Sequence, residues 1–419
     1  SLHLNRIVSL LSLLALLVAL AVLVLAVLTH HPFFDETVHA HYAWLISRGL
    51  SPHENFWCVY PVLGYLAVQP LFLLVPASPA LFLALRLFSS AALLGAGIVL
   101  ARHSRRVSGT WIWGPLPLAL IVVTPNLGDF FAEFSIDHLA ALCALLAFAP
   151  MFAEPSRRRL ALIASLSVLS VTVTPKYGWT LCPALGAYLA YACRQSPRRW
   201  RNGLTAALSI LLTAAALAAV FRVFGCRLLP NLSWAHLFMG KWMARLEDCP
   251  IPLGRTALFF LLRHWFVGMV LLGGIAGWAA RSFRPPRAAA WTGAGILVGT
   301  AVSVALLRKY HEQYLAPLLL SLLVFPPYLA AAVAPRARAL LGAALACALA
   351  LSGAAQIPFR LSRFRPFDVD RVNPLVDSTR GMGKGIQPAL ASLKTLKRLL
   401  SVVPAEETVA ASKLWTAER

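Results

Sequence analysis

Residues 30–75 read HHPFFDETVHAHYAWLISRGLSPHENFWCVYPVLGYLAVQPLFLLV. The stretch follows a long apolar run, Ile7 to Leu28, and sets an adjacent carboxylate pair, Asp35 and Glu36, just past its end. Carboxylates at a membrane boundary are costly unless they are solvated or functional. The stretch closes on a second apolar run, Val59 to Val75, which is short, starts with Tyr60-Pro61 and contains Gln69. Whether that second run crosses a membrane decides the orientation of everything after it.

The membrane itself follows from composition. The chain has 419 residues, 59% hydrophobic and 13% charged, with a mean hydropathy of +0.71. Repeated apolar runs near the length of a bilayer crossing mark an all-α polytopic membrane protein. The first run is too long for a signal-peptide core and lacks a small-x-small cleavage site, so it reads as helix 1. The net charge of +22 comes from arginines clustered between apolar runs, and no nucleic-acid recognition motif accompanies them. Nucleic acid is therefore excluded as a partner. The seven cysteines include no CxxC pair. Cys226 and Cys249 share one predicted outer loop, where a disulfide and two free thiols both remain open.

Further helices are expected near 80–101, 111–125, 137–153, 160–174, 178–193, 204–224, 256–279, 288–307, 315–334 and 337–356. Basic clusters fall at Arg102/Arg105/Arg106, Arg157/Arg158/Arg159, Arg194/Arg198/Arg199/Arg201, Arg281/Arg284/Arg287 and Arg336/Arg338. If 59–75 spanned the bilayer, the first cluster and every later one would lie outside. If it rests along the outer surface, all of them fall inside with the N-terminus, as positive-inside statistics require. The expected fold is thus about eleven spanning helices with juxtamembrane helices in the first outer loop, 30–79. The transmembrane module ends at 356, and a short tail, 357–419, lies outside, with one amphipathic stretch near Pro388 to Val402.

The sixteen acidic residues played no part in that assignment. Only Glu154 falls inside; Asp35, Glu36, Glu54, Asp129, Glu133, Asp137, Glu247, Asp248 and Glu312 sit in outer loops or at outer helix ends. An outward-facing polar site explains this one-sidedness, and so does simple avoidance of inner loops. Asp35-Glu36 opens a helical pattern for which Gly49 is the natural C-cap. Asp35 and His39 share a face at i,i+4, and acidic residues also suit a helix N-terminus through its dipole. His30, His31, His39 and His41 would allow a metal site, although interfacial histidines are commoner. Asp137 opens an apolar helix, where N-capping would be a sufficient role. Lys176 is a basic residue at a short outer turn, against the positive-inside trend; a phosphate partner and snorkelling both account for it. In the outer loop 225–255, Trp234, His236, Lys241, Trp242 and Arg245 mix aromatic and basic groups. Arg308, Lys309, Tyr310, His311, Glu312, Gln313 and Tyr314 gather polar groups between two apolar helices.

The order FFDETVHAHYAWLISRG, VYPVLGYLAVQPLF, LALRLFSS, FSIDHLAALCALL, VTVTPKYG and KYHEQYLAPLLLSLL resembles the GT-C glycosyltransferases. More narrowly it is similar to the protein O-mannosyltransferase and lipid A aminoarabinose transferase group, over about residues 1–330. The resemblance implies that Asp35 is a catalytic base supported by Glu36, that Asp137 shapes the site, and that Lys176, with Arg86, contacts a donor phosphate. The turn reads Thr174-Pro175-Lys176 where the group has Leu-Thr-Lys, and the segment around Tyr60 lacks the usual basic lead.

The expected function is transfer of a sugar from a polyprenyl-phosphate carrier to a hydroxyl on a lipid, glycan or protein acceptor. Asp35 would take the hydroxyl proton as it attacks the anomeric carbon, inverting it in one step. Lys176, Arg86, Lys309 and Arg245 are the candidate cations for the departing phosphate, with Tyr60, Asp137, His311 and Tyr314 as further donor-binding residues. A divalent metal at Glu36 or Asp137 is compatible with this chemistry and not required by it. The Arg- and Ala-rich composition points to a bacterial plasma membrane, with the site facing the periplasm or exterior. A lipid or polysaccharide transporter would predict paired broken helices and intramembrane charges. A non-catalytic assembly subunit would tolerate Asp35→Asn, and an enzyme of the O-antigen-ligase kind would use a diphosphate donor.

Overall fold

The computed structural model of the chain describes residues 2–29, 34–52, 55–56, 58, 61–75, 79–124, 127–197, 199–226, 265–280, 285–307 and 312–362. Among these, regular structure is helical, apart from an isolated bridge between Pro52 and Phe56.

Helix α1 (Leu2–Thr29) is built from Leu, Val and Ala with no internal Gly or Pro. Its buried residues, Val8, Ala15, Ala19, Val22 and Ala26, recur at helical spacing and pack on the last described helix, α16 (Pro335–Ser362). Leu10, Leu13, Leu14 and Leu17 point away from the protein. In a bilayer that exposed apolar face is the lipid contact. Four helices are long and apolar enough to cross a membrane: Leu4–Thr29, Ala80–Ser108, Arg199–Val223 and Pro335–Pro358. The protein is an integral membrane protein.

The segment that decided the orientation forms α2 (Phe34–Ser47), α3 (Leu63–Ala67) and α4 (Gln69–Leu74). Gly49 closes α2 with φ +79°, its N–H bonding the Ile46 carbonyl at 2.9 Å while Leu50 N–H reaches Leu45 O at 3.2 Å. This Schellman arrangement needs a left-handed residue at that point, which glycine adopts without a Cβ clash. Helices α3 and α4 together rise about 18 Å, too little to cross about 30 Å of hydrocarbon. The expected juxtamembrane reading of 59–75 agrees with this geometry.

The chain continues as α5 (Pro79–Ser108), α6 (Pro115–Val123), α7 (Leu127–Ala132), α8 (Ile136–Met151) and α9 (Arg157–Val173). A single 3-10 turn (Pro175–Tyr177) leads to α10 (Gly178–Gln195) and α11 (Arg199–Val223). Next come α12 (Trp265–Ala279), α13 (Arg287–Leu307), α14 (Glu312–Leu322) and α15 (Pro326–Ala332), before α16.

Four expected helices differ most, and the first of them, 80–101, runs on to Ser108. The run 111–125 holds a helix of only 9 residues, because Gly114 passes so close to the Leu100 carbonyl that the chain turns before α6 starts. The run 315–334 is broken into α14 and α15 at Leu323–Phe325, where Pro326 has no N–H to continue the ladder. The last helix runs past 356 to Ser362. The tail beyond 362, with its amphipathic stretch near Pro388 to Val402, lies outside the described residues.

Where α10 and α13 pack, Gly295 and Gly299 sit one turn apart against the α10 backbone. A Cβ on Gly295 would meet Pro183 O at 2.6 Å, and one on Gly299 would clash with Trp179 O. Small residues four apart let two apolar helices touch backbone to backbone, which is how association is gained where lipid removes the hydrophobic drive.

Candidate functional site

At one end of the bundle the start of α2 meets the end of α1, the start of α5 and the α7–α8 connection. Glu36 is fully buried there, with both carboxylate oxygens engaged. Arg86 on α5 donates from Nε to Oε1 and from Nη2 to Oε2, each at 2.7 Å, and Phe134 N–H donates to Oε1 at 2.8 Å. Arg86 Nη1 donates to the Val27 carbonyl near the end of α1 at 2.6 Å. A planar guanidinium matches a carboxylate in this bidentate way, and two buried charges survive only when so neutralised. The residue expected at a donor phosphate is thus 1% exposed and joined to Glu36. Its physical role in the fold is to pin α2 against α1 and α5.

One turn along α5, Ser89 Oγ donates to Ser135 O at 3.3 Å and accepts from Ser135 N–H at 3.1 Å. Ser135, and not Asp137, is the N-cap of α8: its Oγ accepts from Asp137 N–H at 3.2 Å. That leaves the Asp137 carboxylate for a different partner, Lys176 Nζ from the 3-10 turn, at 2.7 Å. The Lys176 side chain is 25% exposed, against 9% for that of Asp137. Tyr177 beside it is buried; burial, and behind it the Asp137 charge, pushes its phenol well above the usual range, so it stays neutral.

His39, on the α2 face that also carries Asp35, bonds Tyr65 Oη of α3 through Nδ1 at 2.6 Å. It lies within electrostatic reach of Asp137 and of its neighbour His138. Helix α3 seats closely on α8: a Cβ on Gly64 would fall 2.5 Å from the Ile136 side chain. His41 stacks on Trp44 instead. A third ion pair, Arg360 Nη2 to Asp129 Oδ1 at 2.6 Å, ties the end of α16 to α7.

Asp35 occupies the second position of α2; its side chain lies outside the described residues, as does that of Tyr314 on α14. Tyr60, Arg245, Lys309, His311 and Cys249 lie outside them altogether, as do His30 and His31. Cys226 is buried. Glu36 and Asp137, the candidate metal ligands, each face a basic side chain that neutralises them. Among the described residues no group of three or more His, Cys, Asp or Glu gathers to hold a metal ion. Sequence reasoning missed Ser135, Phe134 N–H, Tyr65 and Arg360. Only Ser135 carried a local signal, a serine just ahead of an apolar helix.

The described helices, with short helices α2 to α4 linking α1 to α5, form an all-helical membrane fold. A crystal structure of ArnT from Cupriavidus metallidurans bound to undecaprenyl phosphate shares it. The TM-score is 0.56 at 15% sequence identity, with 80% of this chain and 63% of that one covered. This chain therefore spans less than two thirds of that protein's length. No protein-family model matches the sequence, and no curated protein matches it.

Proposed function

We propose that the chain is a glycosyltransferase that moves a sugar from a polyprenyl-phosphate carrier to a hydroxyl acceptor at the extracytoplasmic face of a membrane. The observation that carries this reading is the fold it shares with a protein crystallised with undecaprenyl phosphate bound. The carboxylate end of the bundle supplies groups such a reaction needs.

An unactivated hydroxyl is a weak nucleophile, so a placed carboxylate takes its proton as the oxygen attacks the anomeric carbon. Asp35 is that base. It sits in the first turn of α2, and Glu36 beside it is held by Arg86. As the new C–O bond forms, the bond from the anomeric carbon to the phosphate oxygen breaks. The electron pair leaves with the polyprenyl phosphate, and a single displacement inverts the anomeric centre. Lys176 meets the developing phosphate charge: it is partly exposed, and Asp137 holds its ammonium in place. Lys309 and Arg245, with Tyr60, His311 and Tyr314, complete the proposed donor site. The acceptor is a lipid, glycan or protein hydroxyl, and the membrane is a bacterial plasma membrane.

The test is sugar transfer from a panel of radiolabelled polyprenyl-phosphate sugars in nanodiscs, wild type against Asp35→Asn. Carrier turnover that disappears in a folded Asp35→Asn protein is the expected result. Turnover that survives the substitution would move the base elsewhere. Failure to bind undecaprenyl phosphate at all would sink the lipid-carrier reading.

A further inference from the structure

His138 follows Asp137 in the first turn of α8 and is 1% exposed. Its two ring nitrogens are both buried, and neither has a hydrogen-bond partner among the described residues. Two other buried histidines are treated differently by the fold: His39 bonds Tyr65 Oη, and His103, toward the far end of α5, bonds the Val324 carbonyl at 3.1 Å. A neutral imidazole carries one donor and one acceptor, and a buried polar group without a partner is a standing cost to the folded state. Each such group in a native structure calls for an explanation, and a role toward a ligand is one.

The surroundings say which ligand. Phe130 and Phe131 of α7 place their rings 5.5 and 5.4 Å from the imidazole centroid, both tilted. One residue before His138, Asp137 holds Lys176, the proposed phosphate cation. Helix α14 packs on both α7 and α8. A donor and an acceptor on one ring suit a pair of adjacent sugar hydroxyls. The glycosyl group of a lipid-linked donor is also the part that must lie next to its phosphate.

Resting on the function proposed above, we infer that His138 is a specificity-determining residue that hydrogen-bonds hydroxyls of the donor's sugar, the unit attached to the carrier phosphate. Its task is to tell a hydroxylated glycosyl group from a bare or deoxygenated one. A ring that served only to fill space beside Phe130 and Phe131 would do equally well without nitrogens.

The experiment compares binding of undecaprenyl phosphate with binding of its hexosyl and pentosyl derivatives, and their deoxy analogues, to the full-length protein in nanodiscs. Wild type is expected to bind one glycosylated carrier more tightly than undecaprenyl phosphate. His138→Phe keeps an aromatic ring at the site and removes both nitrogens. It should bind undecaprenyl phosphate as wild type does, lose about tenfold of the affinity added by the sugar, and cease to discriminate against the deoxy analogue. Its thermal midpoint should hold or rise, because a partnerless polar ring has been replaced by an apolar one. His138→Gln, which keeps a donor and an acceptor, should retain part of the sugar-dependent increment, and it serves if the phenylalanine variant does not fold. An unchanged increment in the folded variants, or a lowered midpoint with discrimination intact, overturns the role of His138 while leaving the enzyme reading standing. Absence of undecaprenyl phosphate binding by wild type overturns both.

Discussion

At one end of the bundle Glu36, Asp137 and Asp129 each lie against a basic side chain from a distant part of the chain. At the other, Glu154 is the acidic residue among many arginines, and it is exposed. There Tyr191 Oη donates to its Oε2 at 2.9 Å, Arg338 Nη1 donates to the Ser108 carbonyl at 3.0 Å, and the Arg194 guanidinium stacks 4.8 Å over Trp291. Arg102, Arg105, Arg157 and Arg158 are exposed. The same residue types thus act by different physics. Exposed arginines act by number and sign, at a range set by screening, which suits orientation in a membrane. Buried charges act one pair at a time, because removing either partner leaves the other uncompensated in a low dielectric.

That contrast yields graded predictions. The largest effect is on turnover: Asp35→Asn should lower it by about 10²–10⁴-fold, the worth of a general base, with the thermal midpoint kept. Next is Arg86→Met, which strands the fully buried Glu36 carboxylate and should cost about 3–5 kcal/mol in detergent unfolding. Restoring neutrality with Glu36→Gln in the same chain should recover part of that loss; no recovery would mean that Arg86 acts mainly through Val27. Lys176→Met should weaken undecaprenyl phosphate binding about tenfold or more, the loss of one charge-assisted contact, with a smaller change in midpoint. Equal affinity in that variant would place the phosphate elsewhere. Arg360→Gln removes a pair whose acid is 35% exposed, so its cost should stay within about 1 kcal/mol. Arg158→Gln, at the arginine end, should fall within about 0.5 kcal/mol and leave turnover untouched. A large effect there would break the division between the two ends.

Much of this was legible from the chain. The Leu- and Val-rich runs require a bilayer, the positions of arginine and aspartate separate the two ends, and Gly49 marks the stop of α2. The carboxylates of the candidate site could be named, but not their partners. Arg86 reads equally well as a phosphate ligand or as the counter-ion of Glu36, 50 residues away. Asp137 has the position of an N-cap, yet Ser135 takes that role and frees the carboxylate for Lys176. The break between α14 and α15 had a visible cause in Pro326-Pro327.

Sequence alone therefore determined the class of molecule: an apolar helical membrane chain with arginines clustered between its runs and carboxylates set at other helix ends. These are properties of composition and of a period of 3.6 residues, which local backbone geometry enforces wherever the chain sits. Tertiary structure decided which charge answers which. Glu36 meets Arg86, Asp137 meets Lys176 and Asp129 meets Arg360 because α1, α5, α8 and α16 pack at particular heights and rotations. A helix fixes the face a side chain occupies. Only the neighbouring helix fixes what that side chain touches, and in a medium without water that contact determines whether a charge is tolerated.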